Sequence, residues 1–156
     1  MPRIPITKQG YEKLKLELQR LQKEERPAVI KAIEEARGHG DLSENAEYEA
    51  AKEKQSIIEG KILDTTEKLA NSQIVDLPQD VDGKVIFGCK VSVEDLETGE
   101  VSEYRLVGPF EADVQSGTIS VTSPLGKALI GKEEGDEVKV QTPKGIRNME
   151  VREVQA

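Results

Sequence analysis

Residues 8–69 carry apolar side chains at intervals of three and four, the spacing of one face of an α-helix. Most other positions in this stretch hold charged residues or good helix formers. The first apolar stripe contains Tyr11, Leu14, Leu18, Leu21, Val29, Ile30, Ile33 and Ala36. The second contains Ala46, Ala50, Ile57, Ile58, Ile62, Thr65 and Leu69. The pattern predicts two helices of about 30 residues, each roughly 45 Å long at 1.5 Å per residue.

A short segment, Gly38-His39-Gly40-Asp41-Leu42-Ser43, separates the two helical stretches, and its two glycines favour a chain reversal. Helices joined by so short a loop lie antiparallel, so the sequence predicts a two-helix coiled-coil hairpin. Thr7 is positioned to cap the first helix. Pro27 lacks an amide hydrogen and predicts a kink or a shift of the stripe. The apolar seam is narrow, so we expect most of the hairpin to project into solvent.

The pattern changes after Ser72, where residues 75–83 have the composition of a linker with turns. Five short runs rich in β-branched residues follow, at 84–93, 101–107, 118–122, 137–142 and 148–154. Ser123, Pro124 and Gly131 delimit one short helix as its cap, its first residue and its end. The sequence therefore predicts an α+β fold with two domains: residues 1–76 form the hairpin, and residues 77–156 form an antiparallel sheet with one short helix.

The charge distribution limits the possible functions. The net charge is -8, which argues against simple electrostatic binding to a nucleic-acid backbone. Residues 1–76 contain 13 Lys and Arg against 15 Asp and Glu, whereas residues 77–156 contain 9 against 15. No stretch is apolar enough for a membrane span or a signal peptide, so we expect a cytoplasmic protein. The single cysteine, Cys89, lies in an apolar run and is expected to be a buried core residue.

Three carboxylates, those of Asp41, Glu44 and Glu47, cluster where the second helix is predicted to begin. One interpretation is structural, because Asp41-Leu42-Ser43-Glu44 has capping-box spacing and acidic residues favour a helix N-terminus. The other is functional, because carboxylates at the far end of an arm contribute little to folding. Two carboxylates supply only part of the six oxygens that Mg²⁺ prefers, so such a tip could complete a site on another macromolecule.

The segment from Gly38 to Tyr48, followed by Ala50-Ala51-Lys52, resembles the tip signature of the bacterial Gre transcript-cleavage factors. The resemblance also covers Ile4-Pro5-Ile6-Thr7, residues 83–88, 104–108 and 119–124, and Ala128-Leu129-Ile130-Gly131-Lys132. It is stronger toward the GreA type than toward the GreB type, whose second helix is more basic. Matches in the same order along both predicted domains identify the chain as a member of this family.

The resemblance implies an FKBP-like fold for the second domain, which would dock at the rim of the secondary channel of bacterial RNA polymerase through Ser123, Pro124 and Leu125. The coiled coil would enter that channel in a backtracked elongation complex and stimulate hydrolysis of the nascent RNA at its extruded 3′ end. Asp41 and Glu44 would hold a second Mg²⁺ of the polymerase site and orient the attacking water. The chain would then be a monomeric accessory factor and not itself an enzyme, with no cofactor of its own and no membrane partner.

Four further residues near the tip are candidates by the same resemblance. Arg37 and Lys52 would contact the extruded RNA, although ion pairs across the seam would also explain them. His39 would position water or RNA, or is simply a solvated loop residue. Glu47 would cap the helix or tune the local electrostatic field.

Three other functions fit parts of the sequence. The hairpin by itself is equally compatible with a structural or dimerising coiled coil. An FKBP-like second domain suggests a prolyl isomerase, but residues 77–156 contain only Phe87, Tyr104 and Phe110 as aromatic residues. A channel-binding regulator that does not cleave RNA is also possible, although it would not require charges at Asp41 and Glu44.

Overall fold

The computed structural model describes residues 3–38 and 45–156. These residues form two compact units. Residues 11–71 make the hairpin unit, and residues 3–10 with 72–156 make the sheet unit. In the described parts of the chain, no helix is long and apolar enough to cross a membrane.

The hairpin is built from α1 (Lys8–Arg20), a π-helical turn (Leu21–Glu25), α2 (Arg26–Arg37) and α3 (Ala46–Ala70). Its apolar seam is formed by Leu18, Leu21, Val29, Ile58 and Ile62, with Ile33, Ala36, Ala51 and Thr65 also buried. The predicted antiparallel hairpin is confirmed. Ile30 and Ile57, which the periodicity assigned to the stripes, are 43% and 52% exposed, so the buried seam is narrower than predicted.

The π-helical turn explains how the first stripe continues past Pro27. At about 100° per residue, the eight steps from Leu21 to Val29 would overshoot two full turns by about 80°. A π turn absorbs one extra residue, which leaves the two side chains within about 20° of the same face. The π turn ends at Glu25, two residues before Pro27, which has no amide hydrogen to donate to the carbonyl of Lys23. The predicted irregularity at Pro27 is confirmed as a shift in helical phase. This shift keeps Leu21 and Val29 in the same seam.

An ion pair joins the two arms of the hairpin. Arg26 Nε and Nη2 donate to Glu59 Oε1 and Oε2 at 2.7 and 2.8 Å. The hydrogen bonds from Arg26 hold the pKa of the Glu59 carboxyl below its usual value of 4.5. The pair is exposed, so its contribution to stability is small, but its two-pronged geometry fixes the register of α2 against α3.

The sheet unit contains two sheets. In the smaller, β1 (Ile4–Ile6) pairs in parallel with β2 (Ser72–Ile74). The larger has the order β5-β4-β3-β7-β6. Its strands are β3 (Lys90–Asp95), β4 (Val101–Val107), β5 (Thr118–Ser120), β6 (Glu137–Thr142) and β7 (Gly145–Gln155).

The predicted α+β fold is confirmed, but the antiparallel description of its sheet needs correction. β4 and β5 run parallel, so the five-stranded sheet is mixed. The predicted strand over residues 84–93 is shorter and begins at Lys90. Gly88 has a φ of +86°, which interrupts the extended backbone, and Val85 instead bonds to the Lys132 carbonyl at 2.8 Å. The FKBP-like likeness stays a prediction.

One helix covers the larger sheet. α4 (Pro124–Leu129) begins as predicted, with Ser123 Oγ accepting from the amide of Gly126 at 3.1 Å and Pro124 in the first turn. Leu129 is fully buried in a core that includes Val85, Val91, Leu106 and Val151. Cys89 is buried in the same core, as predicted, and burial raises the pKa of its thiol.

A carboxylate anchors the N-terminal strand within the sheet unit. Glu111 Oε2 accepts from the amides of Thr7 and Gly108 at 2.8 and 3.0 Å, and its other oxygen accepts from the Thr7 hydroxyl. The same Thr7 hydroxyl oxygen accepts from the amide of Gly10 at 3.0 Å, so Thr7 caps α1 as predicted. Gly108 must be glycine here, because a Cβ would overlap the carbonyl oxygen of Pro5.

We expect Glu59→Gln to lower the melting temperature slightly near neutral pH, measured by circular dichroism at 222 nm. The lowered pKa of Glu59 means that its stabilising effect is present above the unfolded-state pKa. The effect is lost as pH falls through the folded-state pKa, so the variant and the unmodified protein should converge in acid. Glu53→Gln, which removes a carboxylate elsewhere on the same helix, is the control and should leave the melting temperature unaltered. Parallel curves for Glu59→Gln and unmodified protein at every pH would contradict this assignment.

Candidate functional site at the hairpin tip and on α4

The two principal candidates at the tip, Asp41 and Glu44, lie outside the described residues, as does His39. The capping box predicted from Asp41 to Glu44 lies outside them as well. Their flanking residues are described on both sides, since α2 ends at Arg37 and α3 begins at Ala46. Segment 39–44 therefore connects two helix ends whose geometry is known.

Asn45 joins these two helix ends through a single side chain. Its Oδ1 accepts from the amide of Tyr48 at 3.0 Å, which caps α3. Its Nδ2 donates to the carbonyl oxygen of Ala36, in the last turn of α2, at 2.7 Å. An amide group is suited to this bridge because it offers an acceptor and a donor at once. Asn45 thus fixes the separation between the helix ends that carry segment 39–44.

The other candidate tip residues are exposed. Glu47 lies in the first turn of α3, together with Glu49, where a negative charge is favoured by the helix dipole. Arg37 lies in the last turn of α2, where a positive charge is favoured. Lys52 Nζ lies 3.4 Å from Gln55 Oε1. Among the described residues, neither Arg37 nor Lys52 lies within 4.0 Å of a carboxylate.

The predicted docking residues lie on the sheet unit, at the N-terminal end of α4. Ser123, Pro124 and Leu125 line a pocket of about 530 Å³, here called the Pro124 pocket. Its other walls come from the sheet and the β6–β7 turn, including Tyr104, Ile119, Val140 and Pro143. Ser123 also donates to the carbonyl of Ser120 at 2.6 Å, so it has a structural role in addition to its position at the surface.

Gly126 allows α4 to approach β5. A Cβ at this position would overlap the carbonyl oxygen of Ser120, the last residue of the strand. Because the backbones are this close, α4 has little freedom to shift relative to the sheet. The predicted docking residues Ser123, Pro124 and Leu125 are therefore held by a rigid scaffold.

The three aromatic residues that a prolyl-isomerase pocket would need are not brought together. Tyr104 lines the pocket at Pro124, and Phe87 lines a different pocket beside Val85 and Ile130. Phe110 lines neither of them. The geometry gives no support to the isomerase hypothesis.

Comparison with known proteins assigns the family. Residues 4–74 match the family described as "Transcription elongation factor, N-terminal". Residues 79–156 match "Transcription elongation factor, GreA/GreB, C-term". The chain belongs to the GreA/GreB family. Since the two matches follow one another along the chain, the GreA/GreB assignment covers both the hairpin and the larger sheet.

Several relatives in the GreA/GreB family are similar over their full length. Transcription elongation factor GreA of Syntrophobacter fumaroxidans is 70% identical over 154 residues, which cover 99% of each protein. GreA of Thermodesulfovibrio yellowstonii is 59% identical over 149 residues, covering 96% of this chain and 94% of the relative. Among solved structures, the GreA factor homolog 1 (Gfh1) protein of Thermus thermophilus is 34% identical over 99% of both chains, with a TM-score of 0.43.

Two residues of this GreA/GreB site were missed by the sequence analysis. Asn45 had a visible signal, because Asn is a preferred N-cap residue, but the capping-box spacing of Asp41 and Glu44 drew attention to an earlier start. Gly126 had no local signal, since its role depends on the approach of Ser120 from another strand.

We expect Asn45→Ala to lower the free energy of unfolding by about 1–2 kcal/mol, because it removes both the cap and the bond to Ala36. Asn45→Ser keeps a capping oxygen but cannot reach Ala36, so it should cost less. Chemical denaturation followed by circular dichroism measures both. Equal losses for the two variants would show that the capping oxygen contributes nothing, and an Asn45→Ser variant as stable as the unmodified protein would show that the bridge to α2 contributes nothing.

Gly126→Ala should displace α4 from β5 and destabilise the protein by about 1–3 kcal/mol. Gly60→Ala is a matched control, since nothing lies within 4 Å of a Cβ placed there and the change favours helix by about 1 kcal/mol. Thermal melting of both variants distinguishes a specific close approach from a general effect of replacing glycine. The approach of α4 to β5 would be unimportant if the two variants melted alike.

Proposed function

We propose that this chain is a transcription elongation factor that binds bacterial RNA polymerase and stimulates hydrolysis of backtracked RNA by the polymerase. The observation that carries the proposal is the bridge at Asn45, which ties two antiparallel helices together at the point where segment 39–44 presents two carboxylates. Membership of the GreA/GreB family supports the same function. The catalytic centre belongs to the polymerase, so the chain is an accessory factor and not an enzyme.

The shape of the hairpin suits delivery into a narrow channel. α3 alone has 25 residues, which corresponds to about 38 Å of helix. Its buried residues form one narrow stripe, and the remaining faces are solvated and mostly polar or charged, although Ile57 and Leu63 are also exposed. A rod of this kind keeps its structure without lateral packing, so it can enter the secondary channel of the polymerase while the sheet unit stays at the rim.

Asp41 and Glu44 are the residues assigned to the chemistry. Two carboxylates are too few to hold Mg²⁺ without other oxygens, and the described residues contain no cluster of three or more potential metal ligands. They fit a shared site, in which the polymerase and the RNA supply the other oxygens. When bound there, Mg²⁺ generates a nucleophilic water and stabilises the attacking and leaving oxygens. In this proposal, Asp41 and Glu44 would hold that ion and orient the attacking water.

The remaining candidate residues have supporting roles in this proposal. Arg37 and Lys52 contact the phosphates of the extruded RNA 3′ end, since both are exposed cations beside the tip. His39 positions water or RNA, and Glu47 adjusts the field at the start of α3. The factor acts as a monomer in the cytoplasm, where the polymerase works.

Docking is assigned to the other unit. Ser123, Pro124 and Leu125 line the Pro124 pocket at the start of a rigid helix, which suits contact with a surface of the polymerase. Binding and chemistry therefore lie on different parts of the chain. This separation makes the two activities independently testable by mutation.

We expect Asp41→Ala and Glu44→Ala each to reduce stimulated cleavage roughly 10- to 100-fold, because each removes a metal-orienting carboxylate. Affinity for polymerase should be unchanged, measured by competition with labelled unmodified protein. Cleavage is measured as shortening of the labelled transcript in a stalled elongation complex. Glu49→Ala removes an equal charge from the first turn of α3 and should leave cleavage unaltered. Normal cleavage by both tip variants would show that the chain is a channel-binding regulator without a role in the chemistry.

A further inference from the structure

The cations of residues 77–156, all of which are described, are unevenly distributed. Of the nine Lys and Arg in this segment, Lys90, Arg147 and Arg152 form ion pairs with carboxylates. Arg105 donates to the carbonyl oxygen of Gly88 at 2.5 Å. The other five are lysines with no carboxylate of residues 3–38 or 45–156 within 4.0 Å, and four of them surround two adjoining pockets beside α4: Lys84, Lys127, Lys132 and Lys139.

The larger of these pockets, here called the apolar pocket, has a volume of about 640 Å³. Its walls are mostly hydrophobic side chains, among them Val85, Phe87 and Val121, while Lys84 and Lys127 stand among its lining residues. Ile86 and Ile130, which also line it, are 36% and 38% exposed. Apolar side chains left in contact with water around a concave surface are a typical feature of a binding site.

The smaller pocket, here called the lysine cleft, has a volume of about 280 Å³ and shares Lys127 and Ile130 with the apolar pocket. Lys127, Lys132 and Lys139 line it, against a single carboxylate, that of Glu137. Backbone hydrogen bonds hold the walls together, since the amide of Val85 donates to Lys132 and the amide of Gly131 donates to Val85, at 2.8 and 2.9 Å. The two pockets therefore form one rigid surface.

Three like charges around a small cleft repel one another, and Glu137 is the single carboxylate among the residues that line it. In a segment with 15 acidic residues against nine basic ones, this local excess is unexpected. It fits a surface that meets negative charge on a partner. The neighbouring apolar pocket indicates that the partner also presents a hydrophobic side chain.

We propose that the apolar pocket and the lysine cleft together bind an acidic segment of RNA polymerase that inserts an apolar side chain between Ile86 and Ile130. The proposal rests on the proposed function and extends the docking surface beyond Ser123, Pro124 and Leu125. Continuity supports it, because α4 carries those residues at its first turn and Lys127 toward its other end. A protein segment fits better than nucleic acid, since a phosphate backbone would leave the apolar pocket unfilled.

Charge reversal at the cleft tests the proposal. The double variant Lys127→Glu with Lys132→Glu should bind core RNA polymerase, free of nucleic acid, about tenfold more weakly in competition with labelled unmodified protein. The loss should diminish as salt is raised, because added ions screen the attraction that the unmodified protein retains. Cleavage at saturating concentrations of the variant should be normal, since the tip is unchanged.

Lys90→Glu is the control for charge. Lys90 lies at the start of β3 and lines none of the three pockets, and its Nζ lies 3.4 Å from Glu103 Oε1 on the surface. Ile86→Ser tests the apolar pocket, with Ile146→Ser as its control at a residue that is 58% exposed and lines neither pocket. Ile86→Ser should weaken binding in a way that salt does not alter, and both controls should bind normally. Circular dichroism confirms that all variants are folded.

The outcomes separate this proposal from the function on which it rests. If the unmodified protein binds polymerase and stimulates cleavage while the double lysine variant binds equally tightly, this proposal alone is wrong. An equal loss in Lys90→Glu would show a general charge effect and would also overturn it. So would a loss confined to complexes that contain DNA and RNA, because the lysines would then contact nucleic acid. Failure of the unmodified protein to bind polymerase would remove both.

Discussion

The apolar seam of the hairpin has to keep its phase along both arms, and the geometry of the helix ends at Ala36 and Asn45 depends on this constraint. Pro27 threatens the phase because it removes one hydrogen bond from the middle of the first arm. The π-helical turn before it absorbs one residue, so Leu21 and Val29 both face α3. With the phase restored, Ala36 comes opposite Asn45, and one side chain can bond to both helices. The alignment of the two helix ends at Ala36 and Asn45 thus follows from a correction made more than ten residues away.

Local charge matters more than net charge in this protein. A net charge of -8 is unfavourable for association with nucleic acid, yet the proposed partner is a polymerase that holds both RNA and DNA. In the described parts of the chain, only a minority of the Lys and Arg residues pair with carboxylates, and the unpaired ones include the three lysines of the cleft beside α4. Carboxylates at the tip suit a site occupied by metal ions, and the unpaired lysines beside α4 suit an acidic protein surface. Each local charge is matched to a different part of the partner.

The elements that the sequence predicted well are those specified by neighbouring residues. Helical periodicity identified the hairpin, Pro27 marked the irregular turn, and Ser123-Pro124 marked the start of α4. The elements that it missed depend on residues far apart in the chain. The β1–β2 pair joins residues separated by nearly the whole hairpin, and the parallel pairing of β4 with β5 leaves no trace in alternation. Asp41 and Glu44 were predicted from their acidic cluster and from the resemblance, and their role stays a prediction, whereas the role of Asn45 depends on the position of Ala36.

A tip with two carboxylates has a consequence for control of the chemistry under the proposed function. A factor with four or more ligands would hold Mg²⁺ by itself and bring a reactive ion into every complex that it entered. Two carboxylates bind the ion usefully only where the polymerase and an extruded RNA supply the remaining oxygens. Hydrolysis is then confined to backtracked complexes, although the factor can occupy others. The small number of ligands is therefore a source of specificity, and the rigid bridge at Asn45 compensates for it by fixing the helix ends that flank the tip.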